Sequence, residues 1–130
     1  MIYYIKTKSY PGKAACTQMK LLVFILNKTE VLEVFLSRLA EEGIGGATIL
    51  SSTGMARALA ESSALSFFSS LRTILDPPKE ENKTILTVVN NKQIDIVLRV
   101  IDEVVGDLKK PNTGIVFTLP IDMVKGLNQS

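Results

Sequence analysis

A strand-helix-strand pattern occurs twice in this sequence, and the repetition leaves few folds open. In the first copy, residues 20–27 (KLLVFILN) form a nearly continuous apolar run that predicts a strand. Asn27 and Glu30 predict the cap of a helix whose apolar residues recur at helical spacing until Gly43. Residues 47–52 (ATILSS) predict the second strand.

The second copy starts at residues 83–89 (KTILTVV), which predict a third strand. Asn90 or Asn91 caps the next helix, and a shift of 62 positions places apolar residues of the first helix on those of the second. Residues 114–119 (GIVFTL) predict a fourth strand. The order βαββαβ is typical of an α+β ferredoxin-like fold, in which two helices cover an antiparallel four-stranded sheet.

Such a sheet has one face that its helices do not cover. We expect that Leu22, Phe24 and Leu26 cannot all face one pair of helices, so the uncovered face carries apolar side chains. Oligomerisation is the simplest way to cover it.

Two segments lie outside the repeated pattern. Residues 1–18 are predicted to be a loosely attached N-terminal extension of a single domain over residues 19–130. Residues 55–82 form an insertion between the two halves, in which apolar spacing predicts an amphipathic helix over residues 61–75. Its side chains either pack within the protein's own oligomer or bind a partner protein. The candidate partner-binding residues are Phe67, Phe68 and Leu71.

Net charge, the length of the apolar runs and the cysteine count argue against several classes of function. A formal net charge of +2 is too small for a dedicated nucleic-acid surface. The longest strongly apolar run, residues 21–26, is far shorter than the roughly 20 residues of a membrane-spanning helix. The single cysteine, Cys16, allows no internal disulfide and is compatible with a reducing compartment. We therefore expect a soluble cytoplasmic protein that neither binds nucleic acid nor inserts into a membrane.

The sequence contains no histidine. The commonest general base and the commonest metal ligand are therefore both missing. A serine triad and a zinc site are disfavoured for the same reason. The sequence thus predicts a protein that is not an enzyme, holds no metal and requires no cofactor.

Residues 42–48 (EGIGGAT) and 53–57 (TGMAR) resemble the P-II family of nitrogen-regulatory signal-transduction proteins. In that family a Gly-Ile-x-Gly-x-Thr run enters the second strand, and a Gly-Phe-Gly-Arg-Gln run leaves it for the long T-loop. The matching positions are Gly43, Ile44, Gly46, Thr48, Gly54 and Arg57. The order of elements over residues 19–125 is also similar, so the resemblance covers most of the chain.

The resemblance implies a homotrimer whose intersubunit clefts bind adenine nucleotides such as ATP or ADP. Its T-loop, here residues 55–82, would control an unidentified transporter, enzyme or regulator. Thr48 would lie on the adenine side of the cleft, and the phosphates would lie beside the base of the T-loop. The implied phosphate-side residues are Gly54, Met55 and Arg57, together with Asn112, Thr113 and Gly114 before the last strand.

Departures from the family pattern leave alternatives open. Ala58 replaces a glutamine of the family, and this replacement argues against a response to 2-oxoglutarate. Residues 111–114 (PNTG) replace the family's phosphate-binding Gly-Asp-Gly-Lys run. Residues 116–122 (VFTLPID) are instead similar to the P-II-like branch that binds cyclic di-AMP, although that branch's adenine-contacting arginine falls at Gly45. Cyclic di-AMP is therefore the second ligand candidate. A ligand-free trimeric adaptor is another alternative, and the absence of histidine argues against a trimeric metal-tolerance protein.

Overall fold

The computed structural model describes residues 2–4, 18–60 and 81–127. In chain order the elements are β1 (Ile2–Tyr4), β2 (Met19–Leu26), a 3-10 turn (Thr29–Val31), α1 (Leu32–Glu41), β3 (Thr48–Ser52), α2 (Met55–Ala60), β4 (Asn82–Asn90), α3 (Asn91–Val104), β5 (Gly114–Pro120) and β6 (Met123–Lys125).

Four of the strands form one sheet in the order β3-β4-β2-β5, and each neighbouring pair is antiparallel. The predicted α+β ferredoxin-like fold is confirmed, and each of these strands lies within one residue of its predicted bounds. β3 and β5 are the two edge strands of this sheet.

The core lies between the sheet and helices α1 and α3. Leu22, Phe24 and Leu26 all belong to it, and the Phe24 ring meets the Phe35 ring edge to face, with centroids 5.2 Å apart. The prediction that these three β2 residues cannot all face the helices is wrong, because side chains two positions apart on a strand share one face. The alternate residues of β2 point the other way.

The sheet surface opposite the helices, called here the open face, is strongly apolar. Val23 of β2 lies opposite Leu86 of β4 and Phe117 of β5, so the three side chains share this face. Towards the edges of the sheet the side chains are exposed, to 42% at Phe117 and 56% at Ile115. The apolar residues of the open face are Leu21, Val23, Ile25, Leu50, Leu86, Val88, Ile115, Phe117 and Leu119.

Local signals explain where the helices begin and end. Gly43, with φ +86°, follows α1 in the left-handed conformation that favours glycine, as predicted. The predicted Asn27 cap is not formed, because the turn Thr29–Val31 precedes α1 and no side chain caps it. At α3 the Asn90 side chain accepts a hydrogen bond from Gln93 N, and the Gln93 side chain accepts one from Asn90 N, both at 2.9 Å. This capping box confirms one of the two predicted caps.

We expect Asn90→Ala to lower the free energy of unfolding by about 1 kcal/mol, because the Gln93 N–H at the start of α3 loses its side-chain acceptor. Urea denaturation followed by circular dichroism would measure the change. Asn91→Ala is the matched control, since Asn91 is exposed and is the first residue of the helix. Equal stability of Asn90→Ala and the control would contradict a stabilising role for the box.

Ion pairs join the outer surfaces of the two long helices. Arg38 of α1 pairs with Glu41 and with Glu103 of α3, each at 2.8 Å, and Arg99 pairs with Glu42 at 3.0 Å. Hydrogen bonds to Glu103 and Glu41 raise the pKa of Arg38 above its ordinary range. Arg38 therefore stays charged at physiological pH, and salt should weaken this exposed network.

The N-terminal residues show a feature that the sequence did not predict. Ile2–Tyr4 pairs antiparallel with Met123–Lys125, so this part of the expected loose extension is a strand. A helix also begins at Met55, earlier than the predicted start at residue 61. The rest of the predicted helix over residues 61–75 lies outside the described residues. None of the described helices has the length and hydropathy needed to cross a membrane.

Candidate functional site

Six of the seven predicted nucleotide-binding residues lie at one end of the sheet, called here the loop end. Ser52 pairs with Asn82, and Leu26 lies opposite both Lys83 and Gly114. The ends of β2 and β3 and the starts of β4 and β5 therefore meet at this end. Gly54, Met55 and Arg57 follow β3 there, while Asn112, Thr113 and Gly114 lead into β5. Thr48 is exposed at the opposite end of β3.

Within one chain these residues do not form a single site. They fall into two groups, one beside β3 and one beside β5, which are the opposite edges of the sheet. Three strand spacings separate the two edges, a distance of about 14 Å. A ligand that contacts both groups at once would have to lie between two copies of the chain or cross the width of the sheet.

Beside β3, hydroxyl and amide groups connect the two ends of the insertion. The Ser52 hydroxyl hydrogen-bonds to Asn82 Oδ1, and its oxygen lies 2.7 Å from Thr84 Oγ1. On the other face, Lys83 Nζ donates to Ser51 Oγ at 2.7 Å. We call the hydrogen-bonded group Ser52, Asn82 and Thr84 the clasp. The sequence did not predict it, because Ser52 and Asn82 are far apart in the chain and meet only through strand pairing.

The predicted residues near the clasp differ in exposure. Met55 is 78% exposed at the start of α2, whereas Arg57 is half-buried and its Nη1 atom is shielded from solvent. A Cβ atom at Gly54 would lie 3.6 Å from Asn82 Nδ2, an ordinary contact distance, so sterics within the chain do not demand glycine there.

Beside β5, two of the three predicted residues have structural roles. The carbonyl oxygen of buried Thr113 accepts hydrogen bonds from Asn27 N at 2.9 Å and Lys28 N at 3.2 Å. Its hydroxyl donates to Lys110 O at 2.8 Å. At Gly114, a Cβ atom would lie only 2.7 Å from the Ile25 carbonyl oxygen. Packing therefore explains both residues without a ligand.

Asn112 is the predicted residue of this loop that remains accessible. It is exposed and has φ +60°, a left-handed conformation that asparagine adopts more readily than most residues. The described residues contain no group of three or more acidic, cysteine or histidine side chains arranged to hold a metal ion. The predicted partner-binding residues Phe67, Phe68 and Leu71 lie outside the described part of the chain.

Comparison with known proteins identifies the fold. No protein-family model and no curated protein matches the sequence. Among solved structures, the PII protein of Arabidopsis thaliana bound to citrate matches with a TM-score of 0.57 and 17% identity, over 82% of this chain and 79% of that one. This chain has the P-II fold. A functionally unknown protein from Pediococcus pentosaceus matches with a TM-score of 0.56 and 16% identity, over 85% of this chain and 99% of that one.

The P-II fold agrees with the resemblance in the glycine-rich motifs. Gly43 ends α1, Ile44 is buried against the core, and Gly46 O accepts a hydrogen bond from Thr87 Oγ1 at 2.6 Å. The motif therefore fixes the entry into β3. The second motif contributes Gly54 and Arg57, which lie where the chain leaves β3 and enters the insertion.

Proposed function

We propose that this chain is a P-II-like regulatory protein, and not an enzyme, that works as a homotrimer. In this proposal an adenine-containing nucleotide binds between subunits, and residues 55–82 control a partner protein. The observation that carries the proposal is the division of the candidate site between the two edges of one sheet, at the same end.

Strand direction explains how neighbouring copies would complete the site. β3 ends at the loop end and β5 starts there, so the two edge strands run in opposite directions. Rotation about an axis roughly parallel to the strands brings β3 of one copy beside β5 of the next, antiparallel and with the loop ends together. Arg57 of one copy then approaches Asn112 of the next. The same rotation turns the open faces inward, where their apolar side chains are buried.

The residue types suit a phosphate-bearing ligand. Arginine offers a planar fork that binds phosphate oxygens in pairs, and the backbone at Gly54 allows close approach. A nucleotide held between copies would touch the base of the insertion through Met55 and Arg57. Regulation follows if the nucleotide has different affinities for two conformations of the insertion, because binding then shifts their populations.

Two measurements on the purified full chain test the proposal. Light scattering should give three times the chain mass of 14.2 kDa. A thermal-shift panel should contain ATP, ADP, AMP, cyclic di-AMP, 2-oxoglutarate and citrate, the last because the Arabidopsis protein was solved with it. A nucleotide at 100 times its Kd should stabilise the fold by about 2.7 kcal/mol. Arg57→Ala should abolish that shift, and a trimer that responds to none of the nucleotides would contradict nucleotide sensing.

A second candidate function, a ligand-free trimeric adaptor, is favoured by the loop before β5. Thr113 uses its carbonyl and hydroxyl groups within the chain, and Gly114 is explained by its contact with β2. A wild-type trimer that binds its partner equally well with and without every nucleotide would support the adaptor. Selective stabilisation by cyclic di-AMP would instead identify the second ligand candidate.

A further inference from the structure

Residues near the two ends of the chain pair with each other in a separate sheet of two strands. β1 (Ile2–Tyr4) runs antiparallel to β6 (Met123–Lys125), and neither strand belongs to the main sheet. We call these two paired strands the ribbon. Pro120, the last residue of β5, lies opposite Lys20 at the end of the sheet away from the loop end, called here the far end. β6 begins three residues after Pro120, so the ribbon starts within about 11 Å of the far end.

Little stabilises the ribbon apart from the pairing of its two strands. Each strand has three residues, and an isolated pair of strands is at best marginally stable in water. In β6, Met123 is 54% exposed and Lys125 is also exposed, while Val124 is half-buried. Gly126 follows directly with φ +91°, a left-handed conformation that ends the extended strand. The paired and separated states should therefore be close in free energy, so that a small added contact changes their populations.

In the proposed trimer the ribbon would lie at the far mouth of the nucleotide cleft. Thr48 is level with Phe117 across the strands of the sheet, and β5 continues from there to Pro120. The chain enters β3 through the exposed residues 45–47. When β3 of one copy lies beside β5 of the next, these residues face the end of β5, and the ribbon follows that end. A nucleotide with its phosphates at the loop end would have its adenine near Thr48, between the phosphates and the ribbon.

We propose that the ribbon is a closing element of the nucleotide cleft, so that pairing of β1 with β6 retains the bound nucleotide and separation of the strands releases it. This proposal rests on the nucleotide cleft proposed above and gives a role to the N-terminal strand, which lies outside the repeated strand-helix-strand pattern. Linkage makes the effect reciprocal, because a nucleotide that is held more tightly by the paired ribbon must also favour pairing. The N-terminal residues thus set how long the nucleotide stays bound.

A disulfide across the ribbon gives a locked form of the chain. Tyr3 and Val124 are directly opposite, and such antiparallel partners have Cα atoms about 4.5 to 5.5 Å apart, within the range that a disulfide spans. The variant Tyr3→Cys/Val124→Cys is combined with Cys16→Ser, which leaves only the two introduced thiols. Stopped-flow fluorescence measures the release of ribose-labelled ATP and of labelled cyclic di-AMP. Reduction of the disulfide should restore the wild-type release rate in the same sample.

The unpaired form is Tyr3→Pro/Tyr4→Pro. Antiparallel partners alternate between hydrogen-bonded and non-bonded pairs, so one of these two residues donates across the ribbon, and proline has no N–H to donate. Release from the locked chain should be at least about 5-fold slower than from the unpaired chain, the lower end of usual couplings, with the wild type between them.

Tyr3→Val/Tyr4→Val is the matched control, since it removes the same two rings and keeps both N–H groups in residues that favour strands. It should release the probes within about 2-fold of the wild-type rate, because the backbone pairing is kept. Because β1 is outside the main sheet, every variant should keep the wild-type mass in light scattering.

The closing element and the nucleotide cleft can fail separately. Equal release from the locked, unpaired and wild-type chains would overturn the closing element and leave the cleft standing. An equal change in the valine control would also overturn it, since the aromatic rings would then carry the effect. Oxidised chains that are joined to one another, and do not run as single 14.2 kDa chains on a non-reducing gel, would contradict pairing within one chain. Binding of neither probe would contradict the cleft and the closing element together.

Discussion

Gly114→Ala should lower the free energy of unfolding by about 3 kcal/mol, near the upper end of the usual cost of overpacking. The new methyl group would lie 2.7 Å from the Ile25 carbonyl oxygen and 2.9 Å from Phe24 Cε1. Ile25 belongs to the central strand β2, and Phe24 is fully buried, so neither can move without disturbing the core. Urea denaturation monitored by circular dichroism would measure the loss.

Gly45→Ala is the matched control for this prediction. A Cβ atom at Gly45 would meet nothing within 4 Å, and its backbone does not have the positive φ that favours glycine. The same chemical change should therefore alter stability by no more than about 0.5 kcal/mol. If the two variants were equally stable, the close approach of β5 to β2 at Gly114 would be refuted.

Phe117→Asp should convert the proposed trimer into monomers without unfolding the chain. Phe117 is 42% exposed on the open face, so the single chain tolerates a polar group there. In a trimer whose open faces meet, each carboxylate would be buried among apolar side chains at a cost of several kcal/mol. Self-association should then weaken by at least about 1000-fold, since each 1.4 kcal/mol is a factor of ten. Light scattering should show the mass fall to that of one 14.2 kDa chain.

Thr118→Asp provides the comparison for Phe117→Asp. Thr118 is the next residue of β5, is also exposed, and pairs with Leu22 on the opposite face of the sheet. This variant should remain trimeric. A Phe117→Asp protein that kept the wild-type mass, or a wild type that was already monomeric at micromolar concentration, would rule out assembly through the open face.

The sequence predicted the central sheet closely because its signals are local. Apolar runs and caps lie within a few residues of each strand and helix end, and they predicted all four strands of the main sheet. β1 and β6 were missed, because both are three residues long and their pairing joins distant parts of the chain. The apolar spacing of the second helix predicted a stripe of Ile94, Val97, Leu98, Ile101, Val104 and Val105, and this prediction was partly wrong. Leu98 is 40% exposed while Val100 is buried, since the helix is rotated so that Val97, Val100 and Ile101 meet the core.

The candidate site was harder to predict than the fold. The glycine motifs point to the loops that follow β3 and precede β5, and strand pairing brings most of the predicted residues to the loop end. The sequence did not reveal that Gly114 is required by contact with β2, because such a contact depends on how two strands approach. The role of Thr113 was hidden for the same reason, as its partners lie in the β2 exit and in its own loop.

The clasp of Ser52, Asn82 and Thr84 has a consequence for how this protein can evolve. Ser52 and Asn82 are direct cross-strand partners, so the insertion leaves the sheet and returns to it at neighbouring points, as a simple hairpin turn would. Each doubling of the length of the insertion between Ser52 and Asn82 raises the entropic free-energy cost of closing the loop by only about 0.6 kcal/mol. Insertions, deletions and new sequences can therefore accumulate between these two residues while the sheet stays folded. If the insertion binds a partner as proposed, selection could change that partner without passing through an unstable ancestor.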